Sequence, residues 1–152
     1  MAKLIPVLHN VTSAQKLIDF AKLVFSLNIN YLVATKVGGV ASNVGVPEVN
    51  KLAFKLGKTF ISLPDLKDAI ELLSPDLVIL LTSQAQKILE TQVFNDKNKI
   101  MLVFSGIENG FSKIDLSLGE NYKLRNIDVE ISPIASIAVI HSCILHEEFK
   151  NG

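Results

Sequence analysis

Asp76-Leu77-Val78-Ile79-Leu80-Leu81-Thr82 is the stretch on which the reading of this chain turns. A strand with one face in water alternates apolar and polar residues. An unbroken apolar run between polar ends marks a strand covered on both faces, as central strands of parallel sheets are. Lys99-Ile100-Met101-Leu102-Val103-Phe104-Ser105 has the same form. Two such strands need helices on both faces, and the segments around them supply helical patterns. Toward the N-terminus, strands are expected at residues 4–9, 30–35 and 58–62. Between them fall helices at 14–27, capped by Thr12 or Ser13, and at 47–56, opened by Pro47 and ended by Gly57. A glycine-containing loop at 36–45 precedes the second of these. Pro64 opens a third helix at 65–73. Toward the C-terminus the pattern predicts a polar helix at 84–92, the strand at 99–105, a sixth strand at 127–131, and a last helix from Ser132-Pro133 to about residue 149. Alternating strands and helices with short connections predict an α/β fold: an open, mainly parallel six-stranded sheet with helices on both faces, residues 1–152 forming one domain.

Composition narrows the class. Hydrophobic residues make up 49% of the 152 and charged residues 20%, which excludes a disordered chain. No apolar run is long enough to span a membrane, no signal peptide is visible at the start, and a soluble cytoplasmic protein is expected. Cys143 is the sole cysteine, and the three histidines show no zinc-ligand spacing, so no metal site is expected. Fifteen basic residues balance fifteen acidic ones, and Arg125 is the single arginine. Any nucleic-acid contact is therefore expected only through a local patch or a dimer groove. The first helix (Leu17, Ile18, Phe20, Ala21, Leu23, Val24, Phe25, Leu27) and the last (Ile134, Ile137, Ala138, Val139, Ile140, Ile144, Leu145) are apolar over more than one face. A homodimer joined through these two helices is the expected consequence.

Ligands of open α/β sheets bind beyond the carboxyl ends of the strands. Three segments fall there: Thr82-Ser83-Gln84, Ser105 to Gly110, and Ile131-Ser132-Pro133. Gly106 and Gly110 let a backbone approach a ligand closely. Neither the dinucleotide fingerprint nor the P-loop lysine pattern occurs. A phospho-acceptor domain needs acidic residues at the end of the first strand, which reads Leu8-His9-Asn10.

The stretch Leu102 to Ser112 resembles the second motif of the SPOUT methyltransferases in their SpoU/TrmH branch, an apolar strand followed by glycine, glutamate and a Gly-Leu-Ser turn. Ile131 to Ala138 resembles their third motif, with Ser132, Ser136 and Ala138 at matching positions. His9-Asn10-Val11 before an apolar helix resembles the first. The resemblance implies a C-terminal trefoil (α/β) knot, homodimers, and S-adenosylmethionine held by Leu81, Thr82, Ser105, Gly106, Ile107, Glu108, Gly110, Ile131, Ser132, Ile134 and Ser136. It implies a methyltransferase acting on RNA. Its departures bear on the chemistry. The branch's first-helix arginine is absent from Lys16 to Phe20. Ile134 stands where the third motif has asparagine, and the second-motif glutamate is either displaced to Glu108 or replaced by Ile107. The catalytic residue is left open among Glu108, His9 and Asp19. The alternatives are a non-catalytic S-adenosylmethionine- or RNA-binding protein of the same fold and, more remotely, a nuclease pairing Asp76 with Glu148-Phe149-Lys150.

Overall fold

The computed structural model of the chain describes residues 3–145. Strands β1 (Lys3–His9), β2 (Tyr31–Thr35), β3 (Thr59–Leu63), β4 (Leu77–Leu81), β5 (Lys87–Ile88), β6 (Lys99–Ser105) and β7 (Glu120–Lys123) form one sheet in the order β3-β2-β1-β6-β4-β7-β5. Every pairing is parallel. The parallel sheet agrees with the sequence reading, but it has seven strands rather than six. Residues 127–131 are not a strand; the strand near that end of the chain is β7, which pairs with β4. Residues 84–92 are not a helix but contain β5, followed by a 3-10 turn at Thr91–Phe94.

Side-chain alternation along the central strands builds two cores. Leu8, Ile79, Leu102 and Phe104 face helices α1 (Ala14–Ser26), α2 (Val46–Leu56) and α5 (Pro133–Val139). Ile5, Val7, Val33, Met101 and Val103 face α3 (Leu66–Leu73) and the short α4 (Lys113–Leu116), through Leu66, Ala69 and Leu116. Helices therefore cover both faces, as the unbroken apolar strands demand. On α1, Leu17, Phe20, Ala21, Val24 and Phe25 are buried, and Ser13 caps the helix by accepting the Lys16 N–H. Gly57 ends α2 in the left-handed conformation (φ 67°). A π-helical turn at Ala41–Gly45 precedes α2 inside what the sequence presents as loop. The last helix continues past α5 as a π-helical segment, Ile140–Leu145, and its expected end near residue 149 lies outside the described residues. Cys143 on that segment is exposed. Among the described residues no helix is long and apolar enough to cross a membrane.

Asp76 fixes the amino end of β4. Its carboxylate accepts the backbone N–H of Lys99 (2.9 Å) and of Asn98 (2.8 Å). These bonds favour the charged form, led by the one from Lys99, and hold its pKa below the ordinary value of 3.8. A depressed folded-state pKa contributes stability that is present above the unfolded-state value and is lost as pH falls through the folded one. Asp76→Asn should therefore lower the urea midpoint at pH 7. The difference from the wild type should shrink as the pH is taken below about 4, as equilibrium unfolding at pH 7 and pH 3 would show.

Candidate functional site

Beyond the carboxyl ends of the central strands the chain makes two turns that face each other. After β6, Gly106 passes directly beneath the turn that follows β1, its N–H donating to the His9 carbonyl at 2.7 Å. A Cβ at this position would lie 2.7 Å from the Asn10 carbonyl oxygen, so only glycine fits. Ser105 Oγ then donates to the Ile107 carbonyl at 3.0 Å and shapes the exit from the strand. Opposite, Ser132 caps α5 by accepting the Ala135 N–H at 3.2 Å. Between the two turns and Leu81 at the end of β4 opens a cleft of about 420 Å³, also walled by Lys16, Phe104, Glu108, Glu130, Ile131, Pro133 and Ser136. That volume lies within the range of small-molecule sites. The loop between β7 and α5 is held over β4 by Glu130, whose Oε1 accepts from Ser83 Oγ (2.7 Å), Ser83 N (2.8 Å) and Thr82 Oγ1 (3.1 Å).

Of the residues the sequence singles out for a cofactor, Leu81, Ser105, Gly106, Ile107, Glu108, Ile131, Ser132 and Ser136 line this cleft. Thr82 lines a smaller pocket beside it. Gly110 and Ile134 stand apart: Gly110 closes a turn onto the Ile107 carbonyl (3.3 Å), and Ile134 packs against the core. Of the three catalytic candidates, Glu108 is exposed at the cleft wall. Asp19 accepts from Gln15 Nε2 (2.7 Å) on the outer side of α1 and does not line the cleft. The sequence reading passes over Lys16 and Glu130. Lys16 lies in the first turn of α1, and nothing local marks either residue as part of the cleft. Arg125 lines a separate groove, where it pairs with Glu90.

His9 belongs to a second constellation on the same edge of the sheet, on the α3 face. Its ring is buried and lies between two partners. Nδ1 meets Thr35 Oγ1 at 2.7 Å, and Nε2 meets Asp115 Oδ2 at 3.1 Å. Phe111 stacks against the ring, with 6.3 Å between centroids and 19° between planes. Asp65, the N-cap of α3, comes to the same place, and the ligand atoms of His9, Asp65 and Asp115 all lie within 4.8 Å of one another. Lys36, Lys67 and Lys113, all exposed, follow Thr35 directly or lie in the first turns of α3 and α4, beside Asp65 and Asp115. The pairing of Asp76 with Glu148-Phe149-Lys150 lies partly outside the described residues. Asp76 sits at the opposite, amino end of β4 with its carboxylate engaged by backbone.

A family described as RecB-family nuclease (DUF2122) matches residues 39–143. The chain belongs to this nuclease family. It is also 38% identical over 140 residues to "Putative type II restriction enzyme ApeKORF2002P" of Aeropyrum pernix, covering 91% of this chain and 90% of that protein. It is 33% identical over 141 residues to "Putative type II restriction enzyme MjaORF1200P" of Methanocaldococcus jannaschii, covering 91% and 94%. In three dimensions it is similar to the SpoU methyltransferase AviRb of Streptomyces viridochromogenes. The TM-score is 0.73 at 9% identity, over 97% of this chain and 60% of that one. The yeast arginine methyltransferase SFM1, solved with MTA, gives 0.61 at 17% identity, over 95% and 76%.

These findings correct the function read from the motifs. The likeness to methyltransferases, at such low identity, extends to the fold alone, an open parallel sheet with helices on both faces. The activity expected from the SPOUT resemblance, methylation of RNA, is overturned by the membership of the RecB-family nucleases and by the two relatives named as restriction enzymes.

Proposed function

We propose that this RecB-family chain is a nuclease that hydrolyses nucleic-acid phosphodiesters at the carboxyl edge of its sheet, on the α3 side. Family membership supports the class of reaction, and the observation that carries the location is the convergence of His9, Asp65 and Asp115 within 4.8 Å. Hydrolysis requires a water deprotonated in line with the scissile bond and a stabilised phosphoryl charge. Asp115, its side chain 16% exposed and bonded to His9, is placed to take a proton from water. It accepts the proton as the water oxygen bonds to phosphorus. The ester P–O bond breaks, and the departing oxygen takes a proton from solvent. Lys36, Lys67 and Lys113 supply positive charge from the same turns to hold the flanking phosphates, as point charges rather than forks. With acidic and basic residues otherwise in balance, affinity rests on this local patch and should fall steeply with salt.

The test is incubation of the purified protein with supercoiled plasmid, single-stranded DNA and structured RNA, with Mg²⁺, with Mn²⁺ and with chelator. Cleavage of at least one substrate is expected, reduced on the order of 100-fold or more in Asp115→Asn. No cleavage of any substrate at stoichiometric protein, or full activity in Asp115→Asn, overturns the reading.

A second reading concerns the cleft on the opposite face. Its volume, its glycine floor at Gly106 and the α5 N-terminus at Ser132 support binding of an adenosyl compound, S-adenosylmethionine first among them. Only binding is proposed for the cleft. Calorimetry with S-adenosylmethionine and its demethylated product should give saturable binding that weakens in Gly106→Ala. Absence of heat at millimolar ligand sinks it.

A further inference from the structure

We infer that His9, Asp65 and Asp115 bind one divalent transition-metal cation, of the Mn²⁺ or Zn²⁺ kind, at the carboxyl edge of the sheet. The three come from distant parts of the chain: the end of β1, the N-cap of α3 and the third residue of α4. No spacing along the sequence announces them.

Three features separate this group from an ordinary buried histidine with an acidic partner. First, the imidazole is oriented in advance. Fully buried Thr35 holds Nδ1 at 2.7 Å and Phe111 covers the ring, so that Nε2 points at the carboxylates. One ring nitrogen given to a hydrogen bond and the other to the ligand position is the arrangement of metal-bound histidines. Second, Nε2 lies 3.1 Å from Asp115 Oδ2. Two ligands about 2.1 Å from one cation and at right angles are about 3 Å apart, so the pair already spans one edge of a coordination shell. Third, a second carboxylate joins the pair: exposed Asp65 offers an oxygen within 4.8 Å of the ligand atoms of both His9 and Asp115, a place where a cation would be held between two negative charges. Asp65 is placed by its capping of α3, where Oδ1 accepts the Leu66 N–H at 2.8 Å.

The donor set selects the ion. One imidazole and two carboxylates favour a borderline cation over Ca²⁺, which takes six to eight oxygens. Three protein ligands leave coordination positions for water, the mark of a catalytic rather than a structural site. The cation's task, lowering the pKa of a bound water beside a phosphodiester, rests on the nuclease reading; its binding does not.

The experiment titrates Mn²⁺ into the full chain, following loss of the free-ion electron paramagnetic resonance signal, with Zn²⁺ as competitor. One equivalent bound with a Kd below millimolar is expected, displaced by Zn²⁺. His9→Gln risks misfolding because the ring is buried, so the deciding variant is Asp65→Asn. Asparagine caps a helix as well as aspartate does, so the fold is kept while the ligand charge is lost, and affinity should fall tenfold or more. Unchanged affinity in Asp65→Asn, or no binding below millimolar in the wild type, overturns the site. Mn²⁺ binding without cleavage of any nucleic acid removes the nuclease reading and leaves the site standing. Cleavage without binding does the reverse.

Discussion

Gly106→Ala is expected to destabilise the protein by about 1–3 kcal/mol, the usual cost of forcing an atom into a filled site. In a domain of this size that lowers Tm by roughly 3–10 °C. The added Cβ would stand 2.7 Å from the Asn10 carbonyl oxygen, 2.8 Å from Val11 Cβ and 2.9 Å from Val11 Cα. None of these is the far end of a flexible side chain. Val11 is fully buried. Asn10 is itself held in the left-handed region (φ 64°) with its N–H on the Thr35 carbonyl at 2.9 Å. The turn after β1 therefore cannot give way, and the end of β6 must move instead. That displacement strains the Gly106 N–H bond to His9, so the cleft floor and the His9 cluster shift together. Gly110→Ala is the control. A Cβ there meets nothing within 4 Å, and only the positive φ of 75° opposes it. Denaturant unfolding of both variants decides the matter. A Gly106→Ala midpoint equal to that of the wild type would mean that the close approach carries no energy.

Strands buried on both faces were the legible part of this fold, because burial on both sides leaves an unbroken apolar run. The run at residues 99–105 has the same bounds in the structure as in the pattern, and Leu77–Leu81 differs from it only at the polar ends. β7 was illegible for the opposite reason. Glu120-Asn121-Tyr122-Lys123 lies toward one margin of the sheet, beside a two-residue strand, and only Tyr122 of the four is buried. Residues 127–131 mislead through their alternation. Ile127, Val129 and Ile131 alternate with Asp128 and Glu130, the period of two that a strand would show, yet Ile127 and Ile131 pack against the core while Val129 is 68% exposed. Here the alternation belongs to a loop that carries Glu130 to Ser83. Site residues divide likewise. The rule that ligands meet strand ends identifies the Ser105–Glu108 turn. Lys16, Glu130, Asp65 and Asp115 reach their sites only through tertiary packing. The motifs at strand ends indicated a fold; they did not carry the chemistry, since the same turns serve many reactions.

Phe20→Ala should destabilise the protein by about 3–5 kcal/mol. Phe20 is fully buried on the sheet-facing side of α1 and meets Phe104 of β6 edge to face, with centroids 5.2 Å apart and planes at 62°. Truncation removes the transfer energy of the ring and leaves a cavity between helix and sheet that neither can collapse into, because α1 also packs against α2 and α5. Against a typical total of about 5–15 kcal/mol, the loss is a large part of the stability. Phe104→Ala should cost a similar amount. The double variant should fall short of the sum by about 0.5–1.5 kcal/mol, the worth of the aromatic pair itself. The effect on function should be one-sided. Phe104 walls the cleft, so an adenosyl ligand should bind more weakly in Phe20→Ala even where the protein remains folded. The His9 cluster lies across the sheet, with Phe111 stacked on the ring, and Mn²⁺ affinity there should change less than threefold below the unfolding transition. Equal losses at both places, measured by calorimetry on the folded variant, would show that the two faces of the sheet do not respond separately.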